Sequence, residues 1–104
     1  MFKFIYYYID KFNRDEIYKL NRTINIIYRN YSNRFNKKEI LQLVTFCKKQ
    51  RRKVYISNNL KLALRFNFDG IYIPSFNKSL KYRNIIKKNF DIIGSAHNLS
   101  LIHI

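Results

Sequence analysis

The sequence predicts an α/β fold built on a parallel sheet. Three observations lead there. Short runs dominated by Ile and Tyr recur at residues 4–9, 26–28, 54–56, 71–73 and 91–94, each long enough for one strand. Stretches with apolar residues three and four apart separate them. Asparagines stand where the first three of these helical stretches would begin. Strand–helix alternation of this kind places strands side by side in parallel with helices outside them. It fits a doubly wound sheet or part of a barrel, and periodicity does not choose between the two.

The elements follow in order. Residues 4–9 form a continuous apolar and aromatic run, which suits a strand covered on both faces. Asn13 with Glu16 three residues later is a capping-box signature opening a helix. Ile17, Leu20 and Ile24 give that helix its apolar side. Ile26, Ile27 and Tyr28 make the second strand. Asn36 and Glu39 repeat the capping signature, and Ile40, Leu43, Val44 and Cys47 recur at helical spacing behind it. Lys48, Lys49, Arg51 and Arg52 close this helix as a solvated basic end that complements its dipole. Val54, Tyr55 and Ile56 are the third strand. Asn58 or Asn59 caps a short helix carrying Leu60, Ala63 and Leu64. Asp69 and Gly70 read as a turn, and Ile71, Tyr72 and Ile73 as a fourth strand that Pro74 ends by withholding a ladder donor. A weaker helix is expected over residues 79–88. Asp91 to Gly94 form the fifth strand, with a loop behind it.

Composition bounds the function. The chain has 104 residues and a formal net charge of +15, from 21 Lys and Arg against 6 Asp and Glu. Such an excess points to phosphate-rich partners. Yet 16 Ile, 13 Asn and 13 Lys stand beside 9 Tyr, 9 Phe and only 2 Gly. Those abundant residues share AT-rich codons, which would raise Lys whatever the protein bound. The tyrosines also fall largely inside strands, where core packing claims them, so the reading argues against nucleic acid. A lone cysteine, Cys47, can form neither an internal disulfide nor a metal site by itself, and it sits on an apolar helix side as a buried thiol. No apolar run approaches the ~20 residues of a membrane span. No secretory pattern opens the chain. A cytoplasmic protein that does not enter membranes is expected.

In both architectures ligands gather at the C-terminal ends of the strands. There stand Asp10, then Arg29 and Asn30, then Ser57, Asn58 and Asn59, then Ser75, Asn77 and Lys78, then Ser95, His97 and Asn98. This edge is polar and rich in amides, with cations at Arg29 and Lys78, and it suits a phosphorylated small molecule. Arg29 follows an apolar strand, where an unpaired buried charge would be costly, so a functional role is read there. His97 could serve as base or ligand, although a lone His is more often a plain hydrogen-bonding residue. No Walker loop, dinucleotide fingerprint, zinc spacing or nucleophile elbow is present.

The ends of strands two to five resemble the thiamine phosphate synthase/TenI family. The resemblance lies in Ile27-Tyr28-Arg29-Asn30, in residues 56–64, in residues 69–75 and in residues 92–97, in the family's order and at about its spacing. It implies the N-terminal half of a TIM (β/α) barrel, about five parallel strands with four intervening helices. Residues 1–104 are then one domain that stops before the barrel closes. The family enzyme joins hydroxymethylpyrimidine diphosphate to thiazole phosphate, releases pyrophosphate and depends on magnesium. By this resemblance Arg29 matches the arginine that holds diphosphate, while the flanking Gln and Lys positions are Ile27 and Tyr31. Asn58 and Asn77 stand at the family's two magnesium acids, and Ser95 matches the serine after strand five. With His97, these are the candidate substrate- and phosphate-binding residues. Because an amide brings no charge, weak magnesium binding or none is expected. Synthase activity is expected to be absent from the chain alone. A TenI-like ligand-binding or regulatory role is the alternative, and a basic RNA-binding module is a third reading. Open edges at strands one and five predict self-association.

Overall fold

A computed structural model describes residues 5–29, 36–73 and 89–94. Its elements are β1 (Ile5–Ile9), α1 (Arg14–Tyr18), β2 (Ile24–Tyr28), α2 (Lys37–Lys49), β3 (Val54–Ser57), α3 (Leu60–Arg65), β4 (Gly70–Ile73) and β5 (Asp91–Gly94). The five strands form one sheet in chain order, and every neighbouring pair is parallel. The expected helix over residues 79–88, Phe4 and Pro74 lie outside the described residues. Among the described residues no helix is long and apolar enough to cross a membrane.

Three asparagines start the three described helices. Oδ1 of Asn13, Asn36 and Asn59 each accepts a hydrogen bond from the backbone N–H three residues on, at 3.1, 3.1 and 3.0 Å. Each cap satisfies one of the donors that a helix start leaves open. The first two units share a further link. Tyr7 of β1 donates its hydroxyl to Glu16 Oε2 at 3.1 Å, and Tyr28 of β2 donates to Glu39 Oε1 at 2.9 Å. In both, the tyrosine pins the glutamate in the first turn of the helix that follows its strand.

Alternation along the strands sorts their side chains onto two faces. Ile9, Ile26, Tyr28, Val54, Ile56, Ile71 and Ile92 point one way and join Ile17, Ile40, Leu43, Val44, Cys47 and Ala63 from the three helices in the main core. Ile27, Tyr55, Tyr72 and Ile93 point the other way and form a smaller cluster with Tyr6, to which α1, α2 and α3 contribute nothing. All three described helices therefore cover the same face. The sheet curls toward the opposite face. Tyr8 of β1 and Tyr72 of β4 stand three strands apart, about 14 Å in a flat sheet, yet their ring centroids are 5.6 Å apart. Tyr6 and Tyr55, two strands apart, meet edge to face at 5.8 Å.

Several sequence expectations change. Ile24 belongs to β2, not to α1, because α1 ends at Tyr18 after five residues. Leu64 is exposed rather than part of the apolar side of α3. Asp69 and Gly70 are not a positive-φ turn; that role falls to Asn67 at φ 61°. Asp69 instead bridges strands, its carboxylate accepting from Val54 N–H at 2.9 Å and its carbonyl from Asp91 N–H at 2.9 Å. Gly70 opens β4 where a Cβ would lie 2.0 Å from the Asp91 carbonyl oxygen, so only glycine fits.

The largest correction concerns the end of α2. Arg51 adopts φ 56°, Arg52 N–H donates to Cys47 O at 2.9 Å, and Arg51 N–H donates to Lys48 O at 3.0 Å. These bonds form a Schellman motif with arginine where glycine usually stands. The turn drives Arg52 inward, where it is 2% exposed. Its guanidinium donates to the carbonyls of Asn21 and Ile24 at 2.9 and 2.6 Å, of Ile17 and Leu20 at 3.2 and 3.3 Å, and to Gln50 Oε1 at 3.1 Å. Ile17 and Leu20 lie at the C-terminal end of α1, which carries no basic residue in its own last turn. Arg52 supplies that cation from a distant part of the chain. Burial pushes its pKa down, and nearby Arg22 adds to the effect.

Candidate functional site

Five parallel strands bring five C-terminal ends to one edge. After β1 comes Asp10, which is exposed. After β2 comes Arg29, whose N–H donates to Ile9 O at 2.7 Å and extends the β1–β2 ladder by one residue. Tyr28 faces the helices, so alternation turns Arg29 to the concave side. Its guanidinium lies over the Tyr8 ring, 4.5 Å from the centroid. Tyr8 in turn donates its hydroxyl to Tyr72 Oη at 3.1 Å. A guanidinium and two phenols thus run across the concave face from β2 to β4. The cation–π contact contributes about 0.5–1 kcal/mol at an exposed position.

Arg29 is exposed. The cost of a buried charge, the reason for singling it out, does not apply. Its claim rests instead on a stacked guanidinium that has no carboxylate partner among the described residues. Ser57 ends β3 on the concave side and is buried, paired in register with Tyr72. Asn58 follows at φ 55°, its N–H donating to Tyr72 O at 2.8 Å. Asparagine adopts this left-handed conformation at low cost, so the backbone alone accounts for its presence, and Asn59 beside it is the cap of α3. Asn77, Ser95 and His97 lie outside the described residues. Tyr8 and Tyr72 were missed in the sequence. The period-two register of Tyr6 and Tyr8 about Tyr7 was the signal that could have found Tyr8.

The other end of the concave face is different. Tyr55 donates its hydroxyl to Asp91 Oδ2 at 2.8 Å, and Lys53 Nζ pairs with the same oxygen at 3.4 Å. Burial, then the hydrogen bond to Asp91, pushes the Tyr55 phenol well above its ordinary pKa. Burial and Asp91 likewise raise Tyr6, whose hydroxyl is buried without a partner among the described residues. These phenols stay neutral at ordinary pH and serve packing. Cys47, buried beneath α2, has its thiol pushed up to about 12 by burial and is inert.

At the C-terminal edge the described residues bring together one guanidinium set over a ring and two phenolic hydroxyls, groups whose chemistry suits an anion. Among them no cluster of three His, Cys, Asp or Glu residues is placed to hold a metal ion. Compared with protein-family models, with curated proteins and with solved structures, the chain matches none.

Proposed function

We propose that this chain is a phosphate-binding domain of the thiamine phosphate synthase/TenI kind, a partial (β/α) barrel that holds a phosphorylated small molecule at the C-terminal edge of its sheet. The chain-order parallel sheet, its curl and its helices on one face support the architecture. The observation that carries the binding role is Arg29: ladder-fixed, exposed, and stacked on Tyr8 with its fork unclaimed by any described carboxylate. Planar guanidinium geometry matches two phosphate oxygens at once. A reducing cytoplasm suits the single free thiol.

Between synthase and TenI-like binding protein, Asn58 favours the second. It stands at a family magnesium position, brings no charge, and holds a left-handed backbone that explains its side chain. Magnesium at a phosphate site prefers one or two carboxylates. Of the described acids nearest this edge, Glu16 and Glu39 are held by Tyr7 and Tyr28, which leaves Asp10. The described residues of this edge do not fit a magnesium site.

The test is isothermal titration of the full chain with inorganic pyrophosphate and with a pyrimidine diphosphate. Arg29→Ala is expected to weaken binding about tenfold to a hundredfold, the worth of one charge-assisted hydrogen bond, with the melting temperature nearly unchanged. Unchanged affinity beside a large stability loss would make Arg29 structural and end the proposal.

A further inference from the structure

We infer that the opposite end of the molecule, where α1 and α2 finish, is a separate binding surface for single-stranded RNA. An open groove of about 440 Å³ lies there, lined by Tyr18, Leu20, Asn21, Arg22 and Gln50. Arg52 builds it. By holding the carbonyls of Ile17, Leu20, Asn21 and Ile24, it ties the end of α1 and the following loop to the end of α2. Two basic segments are thereby brought together. Lys19 and Arg22 come from one, and Lys48, Lys49 and Arg51 from the other, all five exposed.

No carboxylate answers them. The chain has six acids, all within the described residues. Glu16, in the middle of the five-residue α1, is held by Tyr7, Glu39 is held by Tyr28 at the start of α2, Asp69 bonds Val54 N–H, and Asp91 takes Tyr55 and Lys53. Asp10 follows β1 at the opposite edge, and Asp15 stands in the first turn of α1. None lines the groove.

An aromatic ring lines the groove together with Arg22 and directly precedes Lys19 in the chain. Tyr18, the last residue of α1, is 70% exposed. Core packing accounts for Tyr28 and Tyr55 but not for this ring. An exposed ring between cations is what a single strand requires: phosphates for the charges and an unstacked base for the ring. A duplex keeps its bases stacked. A membrane surface would require an apolar face, and here only Leu20 accompanies Asn21, Arg22, Gln50 and the Tyr18 ring.

Arg51 adds an independent observation. Four described non-glycine residues have positive φ, and the other three are Asn58, Asn67 and Asn89. Where the backbone must turn left-handed, this chain otherwise places asparagine. Next to Gln50 of the groove it places an arginine, at a conformational cost that asparagine would lessen.

The test is fluorescence polarisation of the full chain with labelled oligouridine of about 12 nucleotides, a length within single-strand site sizes, between about 50 and 200 mM salt. Arg22→Gln/Lys49→Gln/Arg51→Gln is expected to lower the slope of log affinity against log salt by about 2, since each phosphate left without its cation removes ~0.7 from it. Tyr18→Ala is expected to weaken binding about tenfold with the slope kept, and Tyr18→Phe to retain it, because stacking needs the ring alone. Arg29→Ala should leave RNA binding intact, which separates this surface from the C-terminal edge. Equal weakening by Lys37→Gln/Lys38→Gln/Lys61→Gln would show diffuse attraction and overturn the inference. So would absent RNA binding, with or without binding to phosphatidylserine vesicles.

Discussion

Replacing Arg52 by alanine should cost the fold more than the same change at any other basic residue described. The guanidinium makes five hydrogen bonds, four of them to main-chain carbonyls of the α1–β2 connection. A hydrogen bond to a charged group contributes about 1.5–3 kcal/mol, and a carbonyl left dry and unpaired costs about 1–3 kcal/mol. A plain sum would overstate the loss, because Leu20 and Asn21 border an open groove and water can reach part of the vacated site. The two longest bonds, at 3.2 and 3.3 Å, also count for less. A net loss of about 3–5 kcal/mol remains, within the range for breaking a buried charge network. Against total stabilities of about 5–15 kcal/mol, that is enough to bring a domain of this size near unfolding.

Urea denaturation of wild type and Arg52→Ala, followed by circular dichroism, measures the difference as a shift in midpoint at constant slope. Arg52→Lys separates charge from geometry. An ammonium keeps the charge but has three donors and no planar fork, so it should recover less than half of the loss. Hydrogen exchange should locate the damage at residues 17–26. A loss under about 1 kcal/mol for Arg52→Ala, or full recovery by lysine, would mean that the carbonyls find water easily and that Arg52 does not organise this end.

Three further outcomes are expected. Gly70→Ala should destabilise by about 1–3 kcal/mol or more, read from the melting temperature, because its Cβ would collide with the Asp91 carbonyl. Arg51→Gly should stabilise by about 0.5–1 kcal/mol through the relieved left-handed backbone, while RNA binding falls; stability and binding moving in opposite directions would be hard to obtain from a merely structural residue. Cys47 should resist alkylation at pH 8 until the chain unfolds. Its folded pKa, about 12, lies above the free thiol value of 9.0, so its contribution is complete below about pH 9 and is lost as pH rises toward 12. The thiol's share of the slope should be about −1.4 kcal/mol per pH unit, and Cys47→Ala should remove that share, leaving above about pH 10 the part due to Tyr55 and Tyr6, whose phenols are also raised.

The parts of the fold legible in the sequence were those set locally. The helix starts could be read because Asn13 and Asn36, each followed three residues on by a glutamate, cap by short-range geometry. Strand order could be read because short βα connections place each strand beside the last. Arg52 could not be read. In the run from Lys48 to Arg52 it looks like one more solvated cation, and only the left-handed turn at Arg51 sends it inward while its neighbours stay in water. Gly70 was misread for a similar reason: Asp-Gly signals a turn locally, but this glycine is required by a strand brought close from about twenty residues away. At the candidate site, the edge position of Arg29 was legible and its partner Tyr8 was not, since their stacking depends on sheet curl.

The composition that obscures the function also suggests how to read it. In a chain of AT-rich codons, glycine is scarce and lysine is common for reasons unrelated to binding. Asparagine then takes over the left-handed turns, as at Asn58, Asn67 and Asn89, and lysines spread over the outer helix faces at Lys37, Lys38 and Lys61. Net charge under those conditions says little. A stronger discriminator is whether a cation occupies a place that a flexible ammonium could not fill. Arg52 forks onto main-chain carbonyls, which needs a multidentate guanidinium, and Arg29 is set over an aromatic ring, a contact that guanidinium makes more often than ammonium. Arg51 accepts a backbone conformation that arginine disfavours. These three differ from the background lysines in geometry, not in charge. One ties α1 to the end of α2, and the other two stand at the surfaces proposed above. The two proposals are independent of each other, because Arg29 follows β2 at the C-terminal edge of the sheet and Arg51 precedes β3 at the N-terminal edge.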